Sequence, residues 1–148
     1  MDTLDKVLQT IDSDGLLANG DRVLVALSGG PDSVALLHIL TKIRDNSDLT
    51  LYAVYINHNI RPREAQEEEQ FCRDLCDGLG VDLKIIFEDI PARARQAGKG
   101  LEETARDFRY ATFERLTEEK KLDRIALGHH LDDRVETVLF RIIRGSGL

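Results

Sequence analysis

The sequence predicts an α/β domain built in three layers, a parallel sheet with helices on both faces. Three observations carry this. Strand-length apolar runs alternate with longer segments of helical period, the order of repeated strand–helix units. The run "RVLVALS" is apolar nearly throughout, as expected of a strand covered on both sides. The strands are also followed by polar or glycine-rich stretches, and such sheets bind ligands outside the carboxyl ends of their strands.

Each element has its own justification. Residues 3–12 predict an opening helix with Leu4, Val7, Leu8 and Ile11 as its apolar stripe. "RVLVALS" (22–28) is the first strand, and residues 32–44 form the helix after it. "LTLYAVYIN" (49–57) is the second strand, and "HNIRPRE" leads to a helix over 64–79 that ends at Gly78 and Gly80. "VDLKIIFED" (81–89) is the third strand. "PARARQAGKG" (91–100) then reads as a loop with room for one helical turn. A long helix follows, "GLEETARDFRYATFERLTEEKK", with Leu101, Ala105, Phe108, Ala111 or Thr112, and Leu116 towards the core. "DRIALG" (123–128) is the fourth strand, and "HLDDRVETVLFRIIRG" is expected to be the final helix.

The 148 residues suffice for one domain with a buried core, and 42% hydrophobic against 32% charged residues is an ordinary globular balance. No apolar run approaches membrane-spanning length and the N-terminus lacks a signal-peptide layout, so a cytoplasmic protein is expected. A net charge of −7 argues against sequence-independent nucleic-acid binding by the bulk surface. Charge is local, however: Arg93, Arg95 and Lys99 form a basic stretch that is either a plain loop or an arm for a polyanion. Cys72 and Cys76 recur with Leu75 and Leu79 at helical spacing, which predicts a core stripe rather than a metal site.

The corner after strand one is the first candidate site. In "SGGPDS", Gly29 and Gly30 let backbone N–H groups approach an anion, and the next helix adds its unpaired first-turn N–H groups and dipole. Ser28 and Ser33 offer hydroxyls. Asp32 suits a helix cap or a Mg²⁺ ion beside a phosphate. Neither the Walker A pattern nor G-x-G-x-x-G is present, and the plain alternative is a tight turn. Near the other end, His129 and His130 follow strand four. Asp132 and Glu136, four residues apart on the expected helix, would converge as Mg²⁺ ligands or as a clamp for an amine. Asp133 faces away and fits a capping role. Arg106 and Arg109 lie three apart on the long helix, as phosphate or RNA contacts or as part of a salt-bridged face. His58 ends strand two beside the site and is expected to contact nucleotide or substrate, whereas His38 reads as packing or surface.

Taken in order, "SGGPDS", "NHNIR", "EETARDFRY" and "GHHLDDRVETVLFRIIRGSGL" resemble the motif set of the tRNA(Ile)-lysidine synthetase family, within the PP-loop (N-type ATP pyrophosphatase) superfamily. The resemblance implies an adenine nucleotide alpha hydrolase-like, Rossmann-like fold. It further implies ATP-dependent ligation of L-lysine to carbon 2 of the wobble cytidine of a minor tRNA(Ile) with a CAU anticodon, through an adenylated tRNA. ATP would be held by Ser28, Gly29, Gly30, Pro31, Asp32, Ser33 and His58, and Mg²⁺ by Asp32 and Asp132. Asp32, His129, Asp132, Glu136, Arg106 and Arg109 would form the catalytic set. The family continues past "RGSGL", so residues 1–148 are expected to be a truncated PP-loop catalytic domain without the C-terminal tRNA-binding regions. A homodimer through an exposed sheet edge is left open. The rival readings are a PP-loop tRNA thiolase, which would need reactive cysteines near the site, and an ATP-binding module without chemistry.

Overall fold

The computed structural model describes residues 5, 6, 9, 15–28, 30–132 and 135–144, with the backbone alone from residue 129 onward. Residues 5, 6 and 9 are helical, and the rest of the predicted opening helix lies outside the described residues. The elements are β1 (Arg22–Leu27), α1 (Pro31–Ile43), β2 (Thr50–Asn57), α2 (Pro62–Leu79), β3 (Asp82–Phe87), α3 (Ile90–Ala97), α4 (Leu101–Lys120), β4 (Arg124–Asp132) and β5 (Val135–Arg144).

The sheet order is β3-β2-β1-β4-β5. The first four strands run parallel, with Val25 level with Ala53 of β2 and Ala126 of β4. The order reverses direction at β1, so the crevice beyond the ends of β1 and β4 is the switch point where α/β sheets bind ligands.

Period-two alternation builds the layers. Val23, Val25 and Leu27 of β1 face one side, with Leu36, Leu37 and Leu40 of α1 and Cys72 and Cys76 of α2. Leu24 faces the other side, with Val54, Ile56, Ile125 and Leu127 from the strands and Phe113 and Leu116 of α4. The predicted three layers are thus present, with α1 and α2 on one face and α4 on the other.

Three expectations need correction. The final helix predicted from residue 130 is instead the end of β4 followed by β5, which pairs antiparallel with β4 from Arg124↔Arg144 to Asp132↔Val135. "VETVLFRIIR" satisfies both a helical and a strand period, and its β-branched and aromatic residues suit a pleated partner beside β4. The basic stretch is not a loop but α3: Asp89 caps it by accepting the Ala92 N–H at 3.1 Å, Pro91 lies in its first turn, and Gly98 closes it at φ 66°. On α4 the buried side chains are Thr104, Ala105, Thr112, Phe113, Leu116 and Thr117, while Leu101 and Ala111 are exposed. Two of those threonines are buried at little cost because their hydroxyls donate to carbonyls of the preceding turn, Thr104 to Gly100 and Thr117 to Phe113. No helix among the described residues is long and apolar enough to cross a membrane.

Candidate active site

The β1–α1 corner is braced from within. Ser33, 1% exposed, accepts the backbone N–H of Ser28 on its Oγ at 2.9 Å. The same Oγ lies 3.2 Å from Ser28 Oγ and 3.3 Å from the Gly30 carbonyl. Ser28 Oγ in turn accepts the Gly30 N–H at 3.3 Å. Gly30 is the N-cap of α1 and offers no side-chain acceptor to the first-turn N–H groups; Pro31 opens the helix and Asp32 follows in its first turn. A helix start of this kind presents N–H groups and a positive dipole end to an anion. Gly29 lies outside the described residues.

A cavity of about 560 Å³ opens at the same edge of the sheet. Ser28, the ends of β1 and β2, Gly128 of β4, the start of α2 and the middle of α4 line it. On the α2 side, the Tyr55 phenol donates to Glu68 at 2.6 Å and the Asn57 amide donates to Glu69 at 3.0 Å. Asn57 also accepts the Asn59 N–H at 2.9 Å, which fixes a turn where Asn59 takes φ 59°. Burial, reinforced by Glu68, pushes the Tyr55 phenol well above its usual range, so it stays a donor.

The α4 side is formed by Arg109, Tyr110 and Phe113. His58 also lines the cavity, and its Nδ1 is buried without a hydrogen-bond partner in the described structure. Burial first, and the Arg109 cation second, push its imidazole pKa down. His58 is therefore neutral near pH 7, and Arg109 supplies positive charge to this wall.

Of the predicted site residues, the fold brings Ser28, His58 and Arg109 to one cavity, with Gly30, Pro31, Asp32 and Ser33 at the corner that borders it. Arg106 is exposed on α4 and does not line the cavity. His129, His130 and Asp132 lie on β4 and Glu136 on β5, while Asp133 lies outside the described residues. The helical i, i+4 convergence expected of Asp132 and Glu136 does not arise; the strand register instead sets Asp132 opposite Val135, next to Glu136. The basic stretch is tied down: Arg93 pairs with Glu88 at 3.2 Å and lies 5.3 Å from the Phe108 ring centroid, and Lys99 pairs with Asp107 at 3.7 Å.

Sequence reasoning missed Tyr55, Glu68, Tyr110, Phe113 and Gly128. Tyr55 was hidden in an apolar strand, and Glu68 in a run that reads as a solvated acidic face. Gly128 closes the predicted strand "DRIALG" but lies inside β4, and a glycine within a strand is itself a signal of close backbone approach.

Among the described residues no group of three or more His, Cys, Asp or Glu side chains could hold a metal ion. A first-turn carboxylate next to an anion-binding corner does suit Mg²⁺, which is commonly held by one or two carboxylates plus substrate phosphates. Cysteine-based clusters do not fit: Cys72 and Cys76 are each 1% exposed in the core, and burial pushes both thiols up to about 11.

A parallel sheet with this strand order and a glycine-bearing, serine-braced corner after β1 defines a nucleotide-binding α/β domain. The profile of the PP-loop domain matches residues 2–148, and the chain belongs to that family. Within it, the chain is 41% identical over 144 residues to the tRNA(Ile)-lysidine synthase of Clostridioides difficile (strain 630), covering 97% of this chain and 31% of that protein. It is 43% identical over 147 residues to the tRNA(Ile)-lysidine synthase of Geobacillus kaustophilus (strain HTA426), with the same two coverages of 97% and 31%. The chain thus spans about a third of the length of these relatives. Among solved structures, the U34-tRNA thiolase NcsA of Methanococcus maripaludis with its [4Fe-4S] cluster superposes with a TM-score of 0.72 at 25% identity, over 88% of this chain and 46% of that one.

Proposed function

We propose that this chain carries the ATP-binding, base-activating part of a tRNA(Ile)-lysidine synthase. The observation that carries the proposal is the identity of 41% and 43% to two lysidine synthases across 97% of the chain. The braced β1–α1 corner supports it, because the reaction needs a fixed anion site at that place.

The reaction joins lysine to carbon 2 of the wobble cytidine of a minor tRNA(Ile). The base oxygen attacks the α-phosphorus of ATP, the bond to pyrophosphate breaks, and the adenylated tRNA results. An amino group of free lysine then attacks carbon 2, AMP leaves with the base oxygen, and one amine proton is lost. Each step has a counterpart in this chain. The backbone at Gly29 and Gly30, the Ser28 hydroxyl and the first turn of α1 at Pro31 and Asp32 hold the pyrophosphate part of ATP. Ser33 shapes that loop from beneath. His58, neutral in the cavity wall, and Arg109 face the nucleotide, and Arg106 on the exposed side of α4 meets the tRNA backbone. Asp132 or Glu136 holds the lysine amine, and one of them or His129 takes its proton. Mg²⁺, held by Asp32 and Asp132 with the phosphates, supplies charge neutralisation when bound.

The thiolase alternative is disfavoured by the burial of both cysteines. The test is transfer of labelled lysine to a minor tRNA(Ile) transcript with ATP and Mg²⁺, beside an Asp32→Ala variant. Label in the RNA that is lost in the variant supports the ligase. ATP binding without label, pyrophosphate or AMP would reduce the chain to a nucleotide-binding module.

A further inference from the structure

Gly128 is the residue of β4 just past its parallel pairing with β1, at the switch point of the sheet and against the first turn of α1. A Cβ built at Gly128 would lie 2.9 Å from both the carbonyl carbon and oxygen of Asp32 and 3.0 Å from the backbone nitrogen of Ser33. Ordinary van der Waals contact at a Cβ starts near 3.4 Å, so the strand and helix backbones meet here at a distance no other residue type permits. The obstruction is main chain, so no side-chain rotation relieves it. Gly128 lies outside the left-handed region, so its small size, and not its conformational freedom, is what this position uses.

The atoms it meets are those of the candidate anion site. The same turn is also held by the Ser33 hydroxyl, which braces Ser28 and Gly30. The first turn of α1 is thus fixed by an internal serine brace and abutted by a glycine on the neighbouring strand. We infer that Gly128 is a positioning residue for phosphate binding: its missing side chain lets β4 set the height at which the first-turn N–H groups of α1 meet the phosphate chain. This deepens the ATP-binding reading given above and rests on it.

The perturbation is a single methyl. Gly128→Ala must move the first turn of α1 from 2.9 Å out to about 3.4 Å, a shift of about 0.5 Å. Misplacement on the ångström scale costs on the order of a hundredfold where fixed geometry matters, and half of it about tenfold. The effect falls mainly on the phosphates, because most of the cavity lining comes from β2, the turn after it, α2 and α4.

The experiment measures binding of ATP, pyrophosphate and adenosine to the full chain and to Gly128→Ala by calorimetry, with far-UV circular dichroism as the check on folding. The expected result is about tenfold weaker binding of ATP and pyrophosphate by the variant, with a much smaller change for adenosine. A defect that merely loosened the fold would weaken all three ligands together, and that outcome overturns the inference. So does unchanged ATP and pyrophosphate binding. Failure of the wild-type chain to bind ATP or pyrophosphate overturns the nucleotide reading itself, and this role with it. If the variant does not fold, the wild-type chain still decides the matter by NMR titration with pyrophosphate. The amide signal of Gly128 should shift in step with those of Gly30, Asp32 and Ser33, and a Gly128 signal that stays still while theirs move refutes the coupling.

Discussion

Ser33→Ala tests whether the corner after β1 is a preformed site or a loop that a ligand must organise. The Ser33 hydroxyl is almost fully buried and accepts the Ser28 N–H at 2.9 Å. Removing it leaves that N–H partly buried without an acceptor. A buried donor deprived of its partner costs about 1–3 kcal/mol. Ser28 itself is exposed, which lets water recover part of the loss, so about 1.5 kcal/mol is expected. For a domain of this size that corresponds to a fall in Tm of roughly 3–6 °C. Ser28→Ala is the natural control, because its Oγ accepts the Gly30 N–H at a longer 3.3 Å in an exposed setting; its cost should stay within about 0.5 kcal/mol. Urea unfolding at constant m-value measures both. If the two variants lose equal stability, or Ser33→Ala loses none, the hydroxyl does not brace the loop and the account of a preformed anion site fails.

Two further predictions concern titrating groups. The native His58 imidazole is held below its ordinary value of 6.5 by burial and by Arg109. The unfolded chain therefore binds more protons as pH falls below about 6.5, and native stability should drop through that window. His58→Gln should flatten this part of the profile in urea unfolding measured from pH 7.5 to 5, and an unchanged slope would show that His58 is not desolvated. Cys72 and Cys76, with thiols raised to about 11 by burial, should resist iodoacetamide at pH 8 in the native chain and react once it is unfolded in urea. Labelling of either at native conditions, followed by mass spectrometry, would contradict the packed core seen around α2.

The parallel core was legible in the sequence because its signals are local and redundant. β1 has an apolar run of the right length, and glycines punctuate the end of α2. The grouping of polar corners at one sheet edge follows from topology, so it needed no side-chain detail. The corner's glycine N-cap and helix start were also legible, at Gly30 and Pro31. What stayed hidden were features set by tertiary contact. Ser33 looked like a phosphate ligand, and only the fold shows its hydroxyl turned into the loop. Arg106 and Arg109 look equivalent at a spacing of three, yet Arg109 alone lines the cavity. The stretch from residue 130 satisfies two periods at once, so its pairing with β4 was not decided by pattern. α3 was overlooked because its polar composition masked a sound pair of end signals, Asp89 and Gly98.

Those hidden features share a cause that bears on function. A phosphate site made of backbone N–H groups has no side-chain code of its own, and its precision must come from what presses on the backbone. At the corner after β1 two small residues from distant parts of the chain bear on the backbone, Ser33 from within α1 and Gly128 from β4. The cavity beside it is assembled differently, from side chains of β2, α2 and α4 whose polar atoms pair across elements, Tyr55 with Glu68 and Asn57 with Glu69. On the proposed function, substitution in that wall is expected to change which base or amine fits. On the same proposal, substitution at the corner is expected to act on the phosphates whatever the acceptor. A tRNA thiolase superposes on this chain with a TM-score of 0.72, while both cysteines here are committed to the core; the likeness lies in the fold, and the residues around the corner are where the two chemistries would have to differ.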